Sequence, residues 1–424
     1  MTLSTSERAS EDRTSRNRHR RFRVLALTLD TGEILPTLVD ASSWMPARVA
    51  TRWAVRRRRW QSMPSTLAND LRSIGLLYVW SSAALEKELD DFLEDGWALT
   101  GMQIQDLLAF LRVGGHVVDI AQATICGRNT VARHASVIRD FLKWTVDPTS
   151  QGRSQIVSFD QIRFRRACLD EAFHAVTRQN GYSQRIQPLT GEEVTRIDRL
   201  IGPRRTADSS LMLPLQFAAV NPFRAETRLR NWLMYGIAAQ CGLRRGELLK
   251  LRLDDLPRPE SYGLKVQRRP HDAADNRRHR PAVKTIERVL DLSGELRAGL
   301  RAYLTNRPPS GRPGGRSPYL FVTATGQALS ITATNEVVGV IARNTRIDHL
   351  SWHSFRHTWA EALAEELLSQ HPEEETLALL RTLGGWKLGS MMPLHYAQNA
   401  MAKRAGTFLR ERNERLYRSP AGQP

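Results

Sequence analysis

His353-Ser354-Phe355-Arg356-His357-Thr358 is the strongest local motif in this chain. A His and an Arg three residues apart share one face of a helix, so His353 and Arg356 can address one anion. His353 can move protons near neutral pH, and Arg356 can hold charge that develops on an oxyanion. Working outward, Cys241-Gly242-Leu243-Arg244-Arg245-Gly246-Glu247 and Val283-Lys284-Thr285 with Arg288 lie upstream. Leu383-Gly384-Gly385-Trp386-Lys387 and His395-Tyr396-Ala397 lie downstream. Two arginines, a lysine, a histidine and a later tyrosine are the inventory for breaking a phosphodiester without a metal. The guanidinium forks neutralise the phosphate, a protonated group serves the leaving oxygen, and a phenol attacks.

The composition agrees with a polyanionic partner. Lys plus Arg outnumber Asp plus Glu by 62 to 44 in 424 residues, for a formal charge of +18. Nucleic acid is the first such partner and an acidic membrane the second. Only seven of the 62 are Lys, so a lysine inside a motif says more than an arginine does. The length calls for two or three domains, and 41% hydrophobic residues are enough for real cores. Cys126, Cys168 and Cys241 are scattered, which fits neither a zinc site nor a disulfide framework. Free thiols, no run of membrane-spanning length and no secretory signal lead to a soluble, cytoplasmic protein. Glu7, Glu11 and Asp12 disfavour a mitochondrial presequence.

Along the chain, residues 1–63 read as a basic N-terminal extension with the run Arg16–Arg21. Within it Val24–Leu29 and Ile34–Val39 flank Asp30-Thr31-Gly32-Glu33, the pattern of a short β-hairpin. Arg56, Arg57, Arg58 and Arg59 form a second basic run suited to phosphate contact. Residues 64–146 read as an all-helical domain. Leu67, Leu71, Ile74 and Tyr78 recur at helical spacing, and Thr100 and Gln103 form a capping box. A third helix there carries Val131, Ile138 and Phe141, with Arg128 and Arg133 as DNA-facing candidates. A polar linker is expected over 147–186. The domain at 187–424 opens with a second capping box, Thr190 and Glu193, and is helical around strand-like runs at Tyr262–Gln267, Val283–Leu292 and Tyr319–Val322. Pro308–Pro318 reads as a surface loop and Ala402–Arg418 as an amphipathic tail helix.

These motifs, in this order, resemble the tyrosine recombinases of the phage-integrase family over about 64–410. The resemblance implies a mainly α fold with a small antiparallel β-sheet, in which a helical core-binding (SAM-like) domain precedes the catalytic domain. Arg244, in Gly242-Leu243-Arg244-x-x-Glu247, matches the first catalytic arginine. A helix ending at Gly242 and a new one behind Arg244 would fix its fork at a rigid junction, where it can grip two phosphate oxygens. Glu247, one turn on, would hold that fork. Arg245 is the competing arginine. Lys284 resembles the hairpin lysine that protonates the leaving 5′ oxygen, with Lys265 as rival. His353 and Arg356 match the family's H-x-x-R, with His357 as a supporting residue. Trp386 stands where the family has a His or Trp, and it can donate but not shuttle a proton. Tyr396 would be the nucleophile, giving a 3′-phosphotyrosyl link and a free 5′ hydroxyl; Tyr417 is a weaker alternative. Bond energy kept in the link means that neither ATP, a cofactor nor a metal is required.

The resemblance implies double-stranded DNA as partner and a homo-tetramer in the synaptic complex. A monomer when free, accessory recombination proteins and nucleoid association in a bacterium are compatible with it. The tail helix would dock on a neighbouring subunit or on its own domain. An N-terminal segment beyond the minimal two-domain plan favours a mobile element's integrase or transposase. Two other functions stay open: a sequence-specific DNA-binding protein that has lost catalysis, and a type IB topoisomerase-like enzyme.

Overall fold

A computed structural model of the chain describes residues 21–30, 33–59, 62–113, 126–151, 157–177, 187–205, 215–257, 263–269, 272, 274–277, 280–309 and 317–417. The basic residues Arg16–Arg20, the hairpin turn at Thr31-Gly32, most of Pro308–Pro318 and the side chains of Arg58 and Arg59 lie outside this set. The chain divides into two compact units, Met1–Gln184 and Arg185–Pro424.

In the first unit β1 (Phe22–Thr28) pairs antiparallel with β2 (Ile34–Asp40), Leu25 facing Thr37. β2 lies on α2 (Pro64–Ala84), and Leu38 joins Leu71, Ile74 and Leu77 in one core. α1 (Arg48–Arg59) has no acidic residue in its first turn. Asp90, on α3 (Leu89–Glu94), supplies the missing anion. Its carboxylate accepts the backbone N–H groups of Arg48 (2.8 Å) and Val49 (3.0 Å). α4 (Gly101–Arg112) starts behind the Thr100/Gln103 capping box. α5 (Arg128–Thr145) buries Val131, Ala135, Ile138 and Phe141. The hairpin read as part of an extension thus shares the helical core. The stretch read as a linker contains α6 (Phe159–Thr177), which adds Leu169, Phe173 and Val176 to that core. Its apolar stripe is narrow and sits among exposed charges, which conceals it in the sequence.

The second unit is built on α8 (Ala225–Cys241), buried on nearly every side from Asn231 to Ala238 and packed against α12 (Trp352–Gln370). Leu233, Ile237, Leu296, Ile341 and Phe355 lie in its main core. Around it stand α7 (Gly191–Ile201, behind the Thr190/Glu193 box), the short α9 (Arg245–Lys250), α10 (Gly294–Thr305) and α11 (Ile331–Thr345). α13 (Glu373–Gly384) and α14 (Met392–Tyr417) close on α12 through Ala360, Ala364, Leu380, Tyr396 and Ala400. β3 (Gly263–Val266) and β4 (Arg288–Asp291) form a two-stranded antiparallel sheet with Val266 opposite Arg288.

The strand expected at Tyr319–Val322 does not form; single bridges join Arg252 to Tyr319 and Val322 to Ala328. All four of its residues are buried, on both faces. Tyr319 is turned into a cationic cluster, with the Arg277 guanidinium 4.5 Å from its ring centroid. The buried backbone of this run is satisfied by irregular partners instead of a ladder: the Leu320 N–H donates to the Leu251 carbonyl (2.8 Å), the Phe321 carbonyl accepts from the Leu329 N–H (3.1 Å), and Arg307 donates to the Tyr319 and Leu320 carbonyls.

Candidate functional site

Arg244 stands at a rigid corner. α8 ends at Cys241, Gly242 takes the left-handed conformation (φ 59°), and α9 begins at Arg245. Gly242 is required there twice over, because a Cβ would lie 2.1 Å from the Trp359 ring. Gly242→Ala is therefore expected to destabilise the protein by about 2–4 kcal/mol, from left-handed strain plus overpacking. Urea denaturation reads this out; a change under about 0.5 kcal/mol, the range of an ordinary surface substitution, would contradict it. Arg245, the competing arginine, points elsewhere, donating to Asn335 Oδ1 at 2.7 Å.

Arg356 is 1% exposed and joins two helix ends. Its Nη1 donates to the Gly242 carbonyl and its Nη2 to the Gly384 carbonyl, each at 2.7 Å. These carbonyls belong to the C-terminal ends of α8 and α13, where the helix dipole favours a cation. The guanidinium also lies 4.5 Å from the Trp386 ring centroid. Burial and the nearby Arg244 push its pKa down to about 9, so it stays protonated at neutral pH.

Tyr396 sits on the buried face of α14, 1% exposed. Its ring centroid is 5.6 Å from that of Trp386, and its hydroxyl is 3.0 Å from His357 Nδ1. Burial pushes the phenol up to about 12, against the pull of Arg356 and Arg244. At pH 7 roughly one phenol in 10⁵ is ionised, so the hydroxyl becomes a strong nucleophile only when its proton is removed. His357, read from sequence as a supporting residue, is the group in contact with that hydroxyl. His353 is exposed at the start of α12, its ring 4.9 Å from that of His357.

Burial, then His353, Arg356, His395 and Arg244, push His357 down to about 4, so it is neutral, and in the tautomer with hydrogen on Nε2 its Nδ1 accepts from the Tyr396 hydroxyl. This shift couples stability to pH. Above about 6.5 the ring is neutral in folded and unfolded chains alike. Between 6.5 and about 4 only the unfolded chain binds the proton, so stability falls as pH drops through that window. The slope of the urea midpoint against pH should be steeper in wild type than in His357→Gln; parallel curves would contradict the assignment.

Lys284 is exposed in the extended segment before β4, not on the strand itself. With Arg244, Gly385, Trp386, Lys387, Gly389 and Ser390 it lines a cleft of about 460 Å³. Lys265, its rival, is exposed on β3 and does not line this cleft. Glu247 departs from expectation. Its Oε2 accepts the backbone N–H of Arg244 (2.7 Å), while the guanidinium it holds is that of Arg288 (2.9 Å to Oε1). Burial alone would raise its pKa, but the bonds from Arg288 and Thr285 hold the carboxyl below its usual value. The Arg244 fork is thereby left to the cleft, and its Nη1 is buried with no hydrogen-bond partner, as is Nε1 of Trp386. Arg288 and Thr285 were visible in the sequence without a role. A buried glutamate needs a cation, and an arginine standing in a motif without a role of its own was the available signal.

The structure thus gathers Arg244, Glu247, Lys284, His353, Arg356, His357, Trp386 and Tyr396 in one region. The other basic candidates belong to the first unit. Arg56, Arg128 and Arg133 are exposed there. Arg57 is engaged with its own unit, pairing with Asp70 (3.1 Å) and lying 5.1 Å from the Trp53 ring centroid. Among the described residues no group of three or more His, Cys, Asp or Glu could hold a metal ion, and no helix is long and apolar enough to cross a membrane.

Residues 215–403 match the model of the phage integrase family. No curated protein sequence matches the chain. Among solved structures, a lambda integrase(75-356) dimer bound to a COC′ core site is 13% identical, with 82% of this chain and 94% of that chain covered, at TM-score 0.49. XerA recombinase is 13% identical over 85% and 97% of the two chains, at TM-score 0.36. XerH recombinase, in a post-cleavage complex with palindromic difH, is 15% identical over 79% and 96%, at TM-score 0.37. At these identities and TM-scores the likeness assigns no role to any residue of this chain.

Proposed function

We propose that this chain is a site-specific DNA recombinase that cuts and rejoins DNA through a covalent tyrosine link. One observation carries the reading: Arg244 and Trp386, whose Nη1 and Nε1 are buried donors without partners, line one cleft with Lys284, and Tyr396 packs against Trp386. A buried donor left unsatisfied costs about 1–3 kcal/mol. A phosphodiester, with oxygens to accept from both donors and a charge to meet the cations, relieves that cost.

In this reading Arg244 and Trp386 hold the non-bridging oxygens. Arg356 adds its charge from below, in a site where low polarity makes it count. The Tyr396 hydroxyl turns from His357 toward the phosphorus and yields its proton to the histidine pair, His357 and His353. The Tyr396–phosphorus bond forms as the bond to the 5′ oxygen breaks, and Lys284 protonates that oxygen. A 3′-phosphotyrosine and a 5′ hydroxyl result, and attack by a 5′ hydroxyl reverses the step. No ATP or metal ion enters this sequence. Exposed Arg56, Arg128 and Arg133 suit sequence-blind phosphate contacts by the first unit.

A tetramer acting on two duplexes is part of the proposal. Every residue of α14 from Met401 to Tyr417 is exposed, Phe408, Leu409 and Leu416 included. Lys403 and Arg404 bond to Glu361, Glu365 and the Leu368 carbonyl of α12, but past them the exposed apolar residues support docking on a neighbouring subunit over packing on its own domain. A mobile element's integrase is the biological setting we favour.

The test is covalent trapping in cells. Wild type and Tyr396→Phe are expressed beside the native locus, the lysate is denatured, and protein-attached DNA is sequenced. A Tyr396-dependent adduct at a discrete site is the expected result. Equal enrichment of one DNA by both proteins, with no adduct even on a nicked suicide version of it, would make the chain a DNA-binding protein without catalysis.

A further inference from the structure

Lys284 is exposed, on a long flexible side chain, yet its role above requires one defined position. Its backbone is held on both sides. Before it, the Ala282 carbonyl lies against the start of α9, so closely that a Cβ on Gly246 would be 2.3 Å from that oxygen. After it, Thr285 is 2% exposed and donates its hydroxyl to Glu247 Oε1. Arg288 Nη1 bonds the same carboxylate oxygen at 2.9 Å and lies 3.3 Å from Thr285 Oγ1. The Ile286 N–H donates to the Gly385 carbonyl at 2.9 Å.

Glu247 therefore links two parts of the cleft. One carboxylate oxygen takes the backbone of Arg244, and the other takes the residue next to Lys284. Gly385 links the third. It adopts φ 62°, and a Cβ there would lie 2.6 Å from Arg288 Nη1 and 3.1 Å from Thr285 Cβ. Trp386 follows directly. Burying an ion pair is a poor way to gain stability, and its best-attested use is to fix register.

We propose that Thr285 and Arg288 are positioning residues which, through Glu247 and Gly385, set Lys284 in register with Arg244 and Trp386 on one phosphate. This rests on the reading of Lys284 as the acid for the leaving oxygen. Thr285 is the residue to test, since valine keeps its shape and removes only the hydroxyl.

The test compares wild type, Thr285→Val, Thr285→Ser and Lys284→Ala on the duplex recovered by trapping. Each is assayed with the ordinary 5′ bridging oxygen and with sulfur in its place. A thiolate leaves without an acid, because thiols ionise far more readily than alcohols. On the oxygen substrate Thr285→Val should cleave about 10- to 100-fold more slowly than wild type, the scale of a small misplacement. On the sulfur substrate it should come within about threefold of wild type, Lys284→Ala should be rescued likewise, and Thr285→Ser should match wild type on both. In the DNA-free protein, exchange of the Ile286 amide should be about 10-fold faster in Thr285→Val and normal in Thr285→Ser, as expected for a locally loosened segment.

A Thr285→Val defect equal on both substrates, wild-type cleavage of the oxygen substrate, or unchanged Ile286 exchange would each overturn the proposal. Failure of sulfur to rescue Lys284→Ala would instead remove Lys284 as the acid. Absence of an adduct from wild type on either duplex would remove the recombinase reading itself.

Discussion

Tyr396→Phe is expected to abolish covalent attachment to DNA while leaving DNA affinity within about twofold. Losing a covalent nucleophile costs on the order of 10⁴-fold or more in rate, because no neighbouring group takes over the bond it makes. The fold should hardly notice. Phenylalanine keeps the ring contacts with Trp386 and His357 and loses one hydrogen bond, to His357 Nδ1. A hydrogen bond of this kind is worth about 1 kcal/mol net. A denaturing gel for the adduct and a band shift for binding separate the two quantities. Loss of binding in parallel with cleavage would mean that the phenol serves structure or DNA contact instead.

Arg356→Ala should fail in both stability and cleavage. The guanidinium satisfies carbonyls at the ends of two helices and stacks on Trp386, so its removal leaves a cavity and two buried acceptors. A loss of about 3–5 kcal/mol is the scale for such a change. Cleavage by the remaining folded protein should fall by about 10²–10³, the scale of a lost oxyanion donor. Arg356→Lys is the instructive companion. It keeps the charge, but one ammonium cannot reproduce the planar fork that reaches Gly242 and Gly384 together, so it should recover little stability. Urea denaturation and single-turnover cleavage on the same preparations measure both. A lysine variant as stable as wild type would show that charge, not geometry, is what the two carbonyls need.

What could be read without the structure was local. Thr100 with Gln103 and Thr190 with Glu193 announce helix starts because a capping box is complete within four residues. Gly242 announces the corner before Arg244 for the same reason. What escaped depends on partners distant in sequence. Nothing near Glu247 reveals that Arg288, 41 residues on, takes its carboxylate. Nothing near His357 reveals the Tyr396 hydroxyl, 39 residues on. The run Tyr319–Val322 has the composition of a strand, but single bridges and the distant Arg307 side chain take its backbone groups in place of a ladder. The tail, read as a separate helix from Ala402, continues the helix that carries Tyr396, since no Gly or Pro at the join stops it.

Tyr396 itself is expected to form the bond to DNA. The most direct measurement is to trap the adduct, digest both protein and DNA, and locate the phosphorylated tyrosine by mass spectrometry. A phosphotyrosine at Tyr396 joined to the 3′ end of the cut strand is the expected product. Attachment at Tyr417 or any other tyrosine, or to a 5′ end, would contradict it.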